Sequence, residues 1–433
     1  MYPGIPPDMA PDEALATYPE TTPDPTPDTA PATWPDTAQD IDLWRDNPNW
    51  PPETLPATNP DWISETYEEA TQVQDGGFEV AQPEDDKAPS SLLGGVGSWV
   101  LGGWPRASRA RYGRSKRQHR DYTALWISPL EVELIAALEM LDTQHRRLPQ
   151  RRVDPNVYAL GEIAGHNIVI VGMPQTGNCS AATVMAHARW TFPNLRFCLL
   201  VGIGGGVPVT TDNGRIRLGD VVVSKPTGPY PGVMQYHRGK AQAGHFEPTG
   251  ALPPPPAVLL SAAQALAADR ARSATDPLAS NLARIDTTIE GLRKYQYPGR
   301  AQDHLYRPTY PHQVAGRSCS ECMCDPARRV RVPRFRGDDR VAVHRGTIAS
   351  GELVMRSGKL RDKLAMEYDV LCFETEAAGV LTDFPCMVVR GISDYSDSHK
   401  NDLWQGYAAA TAAAYARELF SYIPHNHEDD PES

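Results

Sequence analysis

The 433-residue chain has no uninterrupted apolar run of about 18–20 residues, the length that a bilayer-spanning helix needs, so no transmembrane span is expected. Its first residues, MYPGIPPDMAPDE, have neither a basic start nor an apolar stretch, so no secretory signal is expected either. Basic residues are scarce across 1–105. Only Arg45 and Lys87 stand there against 20 acidic residues, together with 18 of the 41 prolines. Positions 106–120 then carry seven basic residues and no acidic one, which leaves a net charge of −1 over 121–433. The acidic total of −12 therefore belongs to the first segment, and binding of nucleic acid through bulk charge is excluded. Cysteine is sparse and odd in number, at seven, and Cys179, Cys198, Cys372 and Cys386 lie in apolar runs. A disulfide scaffold is not expected, and a reducing, cytoplasmic setting fits better.

Residues 1–105 read as a disordered acidic tail. Pro-Asp/Glu-Thr units recur at 19, 27, 35 and 52, and such sequence buries too little apolar surface to offset chain entropy. Trp34, Trp44, Trp50 and Trp62 are spaced through it and could dock a protein partner, the alternative being an inert solvated tail. The run 106–120 is a basic linker, with nuclear import or an anionic surface as other readings. From 121 the texture changes. Short apolar strands are expected at 123–127, 166–172, 195–202, 218–224, 341–350 and 384–393. Helices are expected at 129–141, 179–190, 256–269, 276–294, 357–368 and 404–420. Interleaved strands and helices predict an α/β domain over 121–424, with a central mixed, largely parallel sheet flanked by helices. An irregular insertion is expected at about 296–340, and a short acidic tail at 425–433.

Three features could carry chemistry. The glycine segment VGIGGGVP (201–208) follows a strand but opens no helix, which excludes a dinucleotide fingerprint and suggests backbone lying close to a small molecule. Acidic residues stand at strand ends: Glu131 after the first strand, Glu374 and Glu376 after VLCF, and Asp394 after VVRGIS. Acids there can converge on one crevice and divide general acid and general base roles; each alone could be a helix N-terminal charge. The third is Cys319-x-x-Cys322-x-Cys324. A closed zinc site needs four ligands, and His312 would supply the last at a loose spacing, so ordinary loop thiols are the default and no metal is assigned.

The segments WISPLEVELIAALEMLD (126–142), LLVGIGGGVP (199–208), LGDVVVS (218–224), GTIASGELVM (346–355), FETEAAGV (373–380) and VVRGISDYSDSHKN (388–401) occur in one order that resembles the nucleoside phosphorylase/nucleosidase superfamily. The resemblance is greatest to its fungal branch, where the domain precedes ankyrin or NACHT modules. It implies the three-layer phosphorylase-like fold, a homo-oligomer, and cleavage of the purine–ribose bond without a cofactor. Water is the nucleophile in nucleosidases, and phosphate is the co-substrate in phosphorylases. By the same resemblance Glu131 would activate water, Glu376 would hold the ribose, and Asp394, steadied by Ser393, would protonate purine N7. Gly204, Gly205, Ser350, Val354, Met355, Phe373 and Thr375 would line the substrate. Ser-Pro-Leu-Glu in place of a Gly-Asp-Pro-type loop favours hydrolysis, while Thr176–Ser180 could still offer hydroxyls to a phosphate. Thr375 replaces the methionine of the family's Glu-Met-Glu, Val354 an aromatic base-stacking residue, and Ile203 a serine. A nucleoside-sensing module without turnover is the reading from another class.

Overall fold

The computed structural model describes residues 117–242, 245–314, 317–330 and 340–425. The tail over 1–105, most of the basic run 106–120, parts of the insertion and all but the first residue of the acidic stretch 425–433 lie outside the described residues.

In chain order the elements are β1 (Ala124–Ser128), α1 (Glu131–Glu139), β2 (Thr143–Gln144), β3 (Tyr158–Ile163), β4 (His166–Gly172), α2 (Asn178–Thr191) and β5 (Phe197–Gly206). Then come β6 (Thr210–Thr211), β7 (Gly214–Arg215), β8 (Val221–Ser224), β9 (Val233–Gln235), β10 (Gly239–Gln242) and β11 (His245–Pro248). They are followed by α3 (Ala257–Arg272), α4 (Pro277–Leu282), β12 (Val343–Ser350), α5 (Gly358–Tyr368), β13 (Val370–Glu374), α6 (Ala377–Leu381), β14 (Cys386–Asp394) and α7 (Gln405–Phe420).

Ten strands form one sheet in the order β13-β12-β8-β14-β5-β1-β4-β3-β2, with β9 added on β12. β1 pairs in parallel with β4 and β5, β14 with β5, and β12 with β8, β9 and β13. β3–β4, β2–β3, β14–β8 and β13–β5 are antiparallel, so the sheet is mixed and largely parallel, as expected. Alternation along each strand divides the core into two layers. In β1, Ala124 and Trp126 face a cluster with α1, α3, α4 and α7, while Leu125 and Ile127 face a second cluster with α2 and α6. Helices thus cover both faces, which is why β1 (ALWIS) and the centre of β4 (IVIV) read as apolar runs without alternation.

Two expectations are corrected. The helix expected over 276–294 stops at Leu282. Asp286 Oδ1 accepts from the Thr288 amide at 3.0 Å and its hydroxyl at 2.5 Å, a local turn that competes with helix, and the chain resumes as a 3-10 segment at Glu290–Tyr295. The strand expected to end at 202 runs on through the glycines to Gly206, with Gly205 and Gly206 paired to Phe373 and Cys372. On α1 the tightly packed face is Ala136, Ala137 and Met140 together with the acid Glu133. The larger Leu134, Ile135, Leu138 and Leu141 are only half-buried.

Candidate active site

The carboxyl ends of β5, β13 and β14 meet at a buried charge cluster built around Arg390, on β14 and 1% exposed. Its guanidinium pairs with the carboxylates of Glu374 and of Glu376 (2.9 Å), and it donates to the Ile203 carbonyl at 3.2 Å. Burial alone would lower Arg390, but Glu374, Glu376 and Glu133 outweigh it and hold the guanidinium charged, above its ordinary value. Glu374 also accepts from the amides of Glu376 and Ala377 at the start of α6, so it is fully occupied by the fold. Burial, only partly offset by Arg390, pushes it upward. Glu376 accepts from the Gly177 amide at 3.3 Å and from the Thr375 hydroxyl. Thr375 therefore orients its neighbour's carboxyl.

The third acid in the cluster is Glu133, which the sequence did not single out. At the third position of α1, its Oε2 accepts from the Leu130 amide at 2.6 Å, the reciprocal half of a capping box. Its Oε1 reaches across to the Ile203 amide of β5 at 2.7 Å. Gly202 leaves the room for this, since a Cβ there would lie 2.4 Å from Glu133 Oε1 and 2.7 Å from Arg390 Nη1. Burial pushes Glu133 up to about 7 against the opposing charge of Arg390. Glu131, the expected base, is not brought into the cluster: it is exposed on the opposite side of the first helical turn, close enough to Tyr295 to act on it electrostatically. The signal that distinguishes the two acids is the helical repeat, because Glu133 shares the face of Ala136, Ala137 and Met140.

Asp394 ends β14, where a register shift after Ile392 sets it opposite Gly205. Its Oδ2 accepts from Ser393 Oγ (2.9 Å) and Lys400 Nζ (2.6 Å), and its Oδ1 from the Ser396 amide (2.9 Å). Gly205 has no space for a side chain, since a Cβ would meet Ser396 Oγ at 2.2 Å and Asp394 Oδ1 at 2.8 Å. Gly204 is likewise closed in by Phe373 O at 3.1 Å and Arg390 Cβ at 3.2 Å. The glycines thus seat the protein's own charged groups.

Ser350 is buried at the end of β12 and accepts from the Ala378 amide at 2.9 Å, which fixes α6 beside Asn178 of α2. Phe373 and Met355 are buried in a small cluster with Tyr236 and Tyr368. Val354 stands 57% exposed on the segment that leaves β12. At the N-terminus of α2, Glu352 Oε1 accepts from the Asn178 amide at 2.9 Å. That carboxylate takes the amide which the Thr176–Ser180 segment would otherwise offer to an anion.

No protein-family model matches the chain. Over 307 residues it is 40% identical to a protein of Hyaloscypha variabilis described as a nucleotide-binding leucine-rich repeat (NLR)-like protein, a match covering 70% of this chain and 29% of that one. A stretch of 91 residues is 36% identical to the ATP nucleosidase Cap17 of Escherichia coli, covering 20% of this chain and 17% of Cap17. The chain spans less than a third of the length of either relative. Among solved structures, futalosine hydrolase of Helicobacter pylori aligns with a TM-score of 0.45 at 15% identity, over 70% of this chain and 99% of that one. The 5′-methylthioadenosine/S-adenosylhomocysteine nucleosidase of Neisseria meningitidis, in complex with methylthio-immucillin-A, aligns with a TM-score of 0.44 at 18% identity, over 69% and 98%. Among the described residues no helix is long and apolar enough to cross a membrane.

Proposed function

We propose that the domain is a purine nucleosidase that hydrolyses the N-glycosidic bond of an adenosine-type nucleoside or nucleotide, ATP included, to free base and ribosyl product. The observation that carries this reading is that Glu133 of α1 and Arg390, which holds Glu376, both bond Ile203 of β5, while Asp394 of β14 stands opposite Gly205 two residues further along the same strand, supported by the segment shared with an ATP nucleosidase. Bond cleavage leaves a ribosyl cation at C1′ and pushes the bonding electrons onto the purine. Asp394, oriented by Ser393, gives its proton to N7, so the base leaves neutral. Glu376, held by Arg390, binds the ribose hydroxyls and stabilises the cation. Water attacks C1′, and its proton passes to Glu133, which takes the role first assigned to Glu131. A carboxylate near 7 is matched to accepting a proton at neutral pH.

Hydrolysis rather than phosphorolysis is supported by Glu352, whose negative charge sits where a phosphate would use the α2 N-terminus. The base edge would lie against Met355 and Phe373. The basic residues Arg238 and Lys240 follow Tyr236 and His237, which flank Gly351 beyond β12, and they supply charge for a 5′-phosphate chain.

The test is incubation of the purified chain with adenosine, inosine, methylthioadenosine and ATP, with and without phosphate, reading free base by chromatography. Phosphate-independent release that falls about 10²–10⁴-fold in Asp394→Asn is expected. Release that requires phosphate would make the protein a phosphorylase. Binding with no release from any of the four would leave a sensing module.

A further inference from the structure

The insertion between α4 and β12 contains a cluster that the reaction does not use. His312, Cys319 and Cys324 each offer one ligand atom, and these atoms lie within 4.8 Å of one another. The local backbone is shaped to bring them together. The Cys324 amide donates to the Cys319 carbonyl at 2.9 Å and the Cys322 amide to the Ser318 carbonyl at 3.1 Å, while Met323 takes the left-handed conformation (φ +49°) that reverses the chain between the last two cysteines. Met323 itself is 87% exposed, so the turn exists to aim its neighbours and not to bury its apex.

The histidine is set up as a ligand. His312 Nδ1 lies 2.7 Å from the Val314 carbonyl, which can only accept, so the ring proton belongs on Nδ1 and the lone pair on Nε2. Nε2 is buried without a hydrogen-bond partner. A buried lone pair facing two thiols is costly unless something fills the space between them, and a carbonyl on the far nitrogen is the arrangement that orients metal-bound imidazoles.

We propose that His312 Nε2 and the thiolates of Cys319 and Cys324 bind one zinc-class divalent cation. Two thiolates and an imidazole favour zinc over hard cations, which prefer oxygen. Binding releases the thiol protons to solvent and involves no redox step. The cation is structural, because its ligands all come from the insertion and none is an acid of the cluster around Arg390. It clamps the insertion onto the loop that follows Asp394. The His312 amide donates to Ser398 Oγ at 2.9 Å, and Tyr306 stacks on His399 with ring centroids 4.0 Å apart, two and one residues before Lys400. Occupancy of the site therefore holds Lys400 against Asp394.

The experiment uses the full chain purified under reducing conditions. Elemental analysis should find one zinc per chain, and a strong chelator should remove it. Reloading with cobalt(II) should give thiolate charge-transfer bands and intense tetrahedral d–d bands, both lost in Cys319→Ser and in Cys324→Ser and kept in Cys179→Ser. Hydrogen exchange of amides 395–400 should accelerate on chelation while β1 and β4 remain protected, which separates loss of the clamp from unfolding. A chain that takes up neither zinc nor cobalt while all its thiols stay titratable would overturn the proposal. So would a Cys319–Cys324 disulfide that persists in the reducing buffer, or metal uptake unchanged in both cysteine variants.

Discussion

A carboxyl taken out of water beside a guanidinium feels two opposing pulls on its proton, and at Glu133 the loss of hydration outweighs Arg390 and sets the group near 7. In the role proposed for it as a base Glu133 must be ionised, so release of the purine should rise with pH through about 7, and Glu133→Gln should remove that limb of the profile along with most of the rate. Stability runs the other way. The folded chain holds this proton more tightly than the unfolded one, whose glutamate has the ordinary value of 4.5. The contribution is therefore complete below 4.5 and lost as pH rises to about 7, a change on the order of 3 kcal/mol. Melting temperature should accordingly fall less between pH 5 and pH 8 in Glu133→Gln than in the parent chain. Gly202→Ala tests the same carboxylate by steric means, since the added methyl occupies the space of Glu133 Oε1 and Arg390 Nη1. It should cost at least 10²-fold in kcat, because displacing two charged groups at once removes positioning as well as chemistry, and steady-state kinetics on the folded variant measures it.

At the scale of elements, β14 does the most. It carries Arg390, Ser393 and Asp394, and its register shift turns the last of these toward Gly205. Its other face is pressed onto α7, where a Cβ at Gly391 would lie 1.8 Å from the Ala408 carbonyl oxygen. Gly391→Ala should lower stability by about 3 kcal/mol or more by forcing the helix off the strand, seen as a reduced urea midpoint. The strands were legible in the sequence because they are short apolar runs buried on both faces; 166–172 coincides with β4, and 384–393 covers most of β14. The long helices were legible from their repeat. The turn at Asp286 was not, because one side chain closing on Thr288 changes no hydrophobic pattern. Glu133 escaped for a related reason: two acids in one helical turn look alike until the packing face is known, and that face is made of alanines whose burial no hydropathy peak announces.

For the whole molecule, the site gathers residues from positions 133 to 394, joined only by strand register. Three of the acids could be named from the chain, but the register that puts Ile203 between Glu133 and Arg390 could not. The pairing of β14 with β5 on one edge and β8 on the other has a further consequence. A strand bonded on both edges gives up its amides only when the sheet itself opens, so amides 387–392 should exchange at the rate of global unfolding. On heating, catalysis and near-ultraviolet ellipticity should then disappear together. Arg390 and the backbone of Asp394 are thus wired into the keystone of the sheet: the strand that carries them lets go only when the sheet opens, and the lifetime of their arrangement is the lifetime of the sheet.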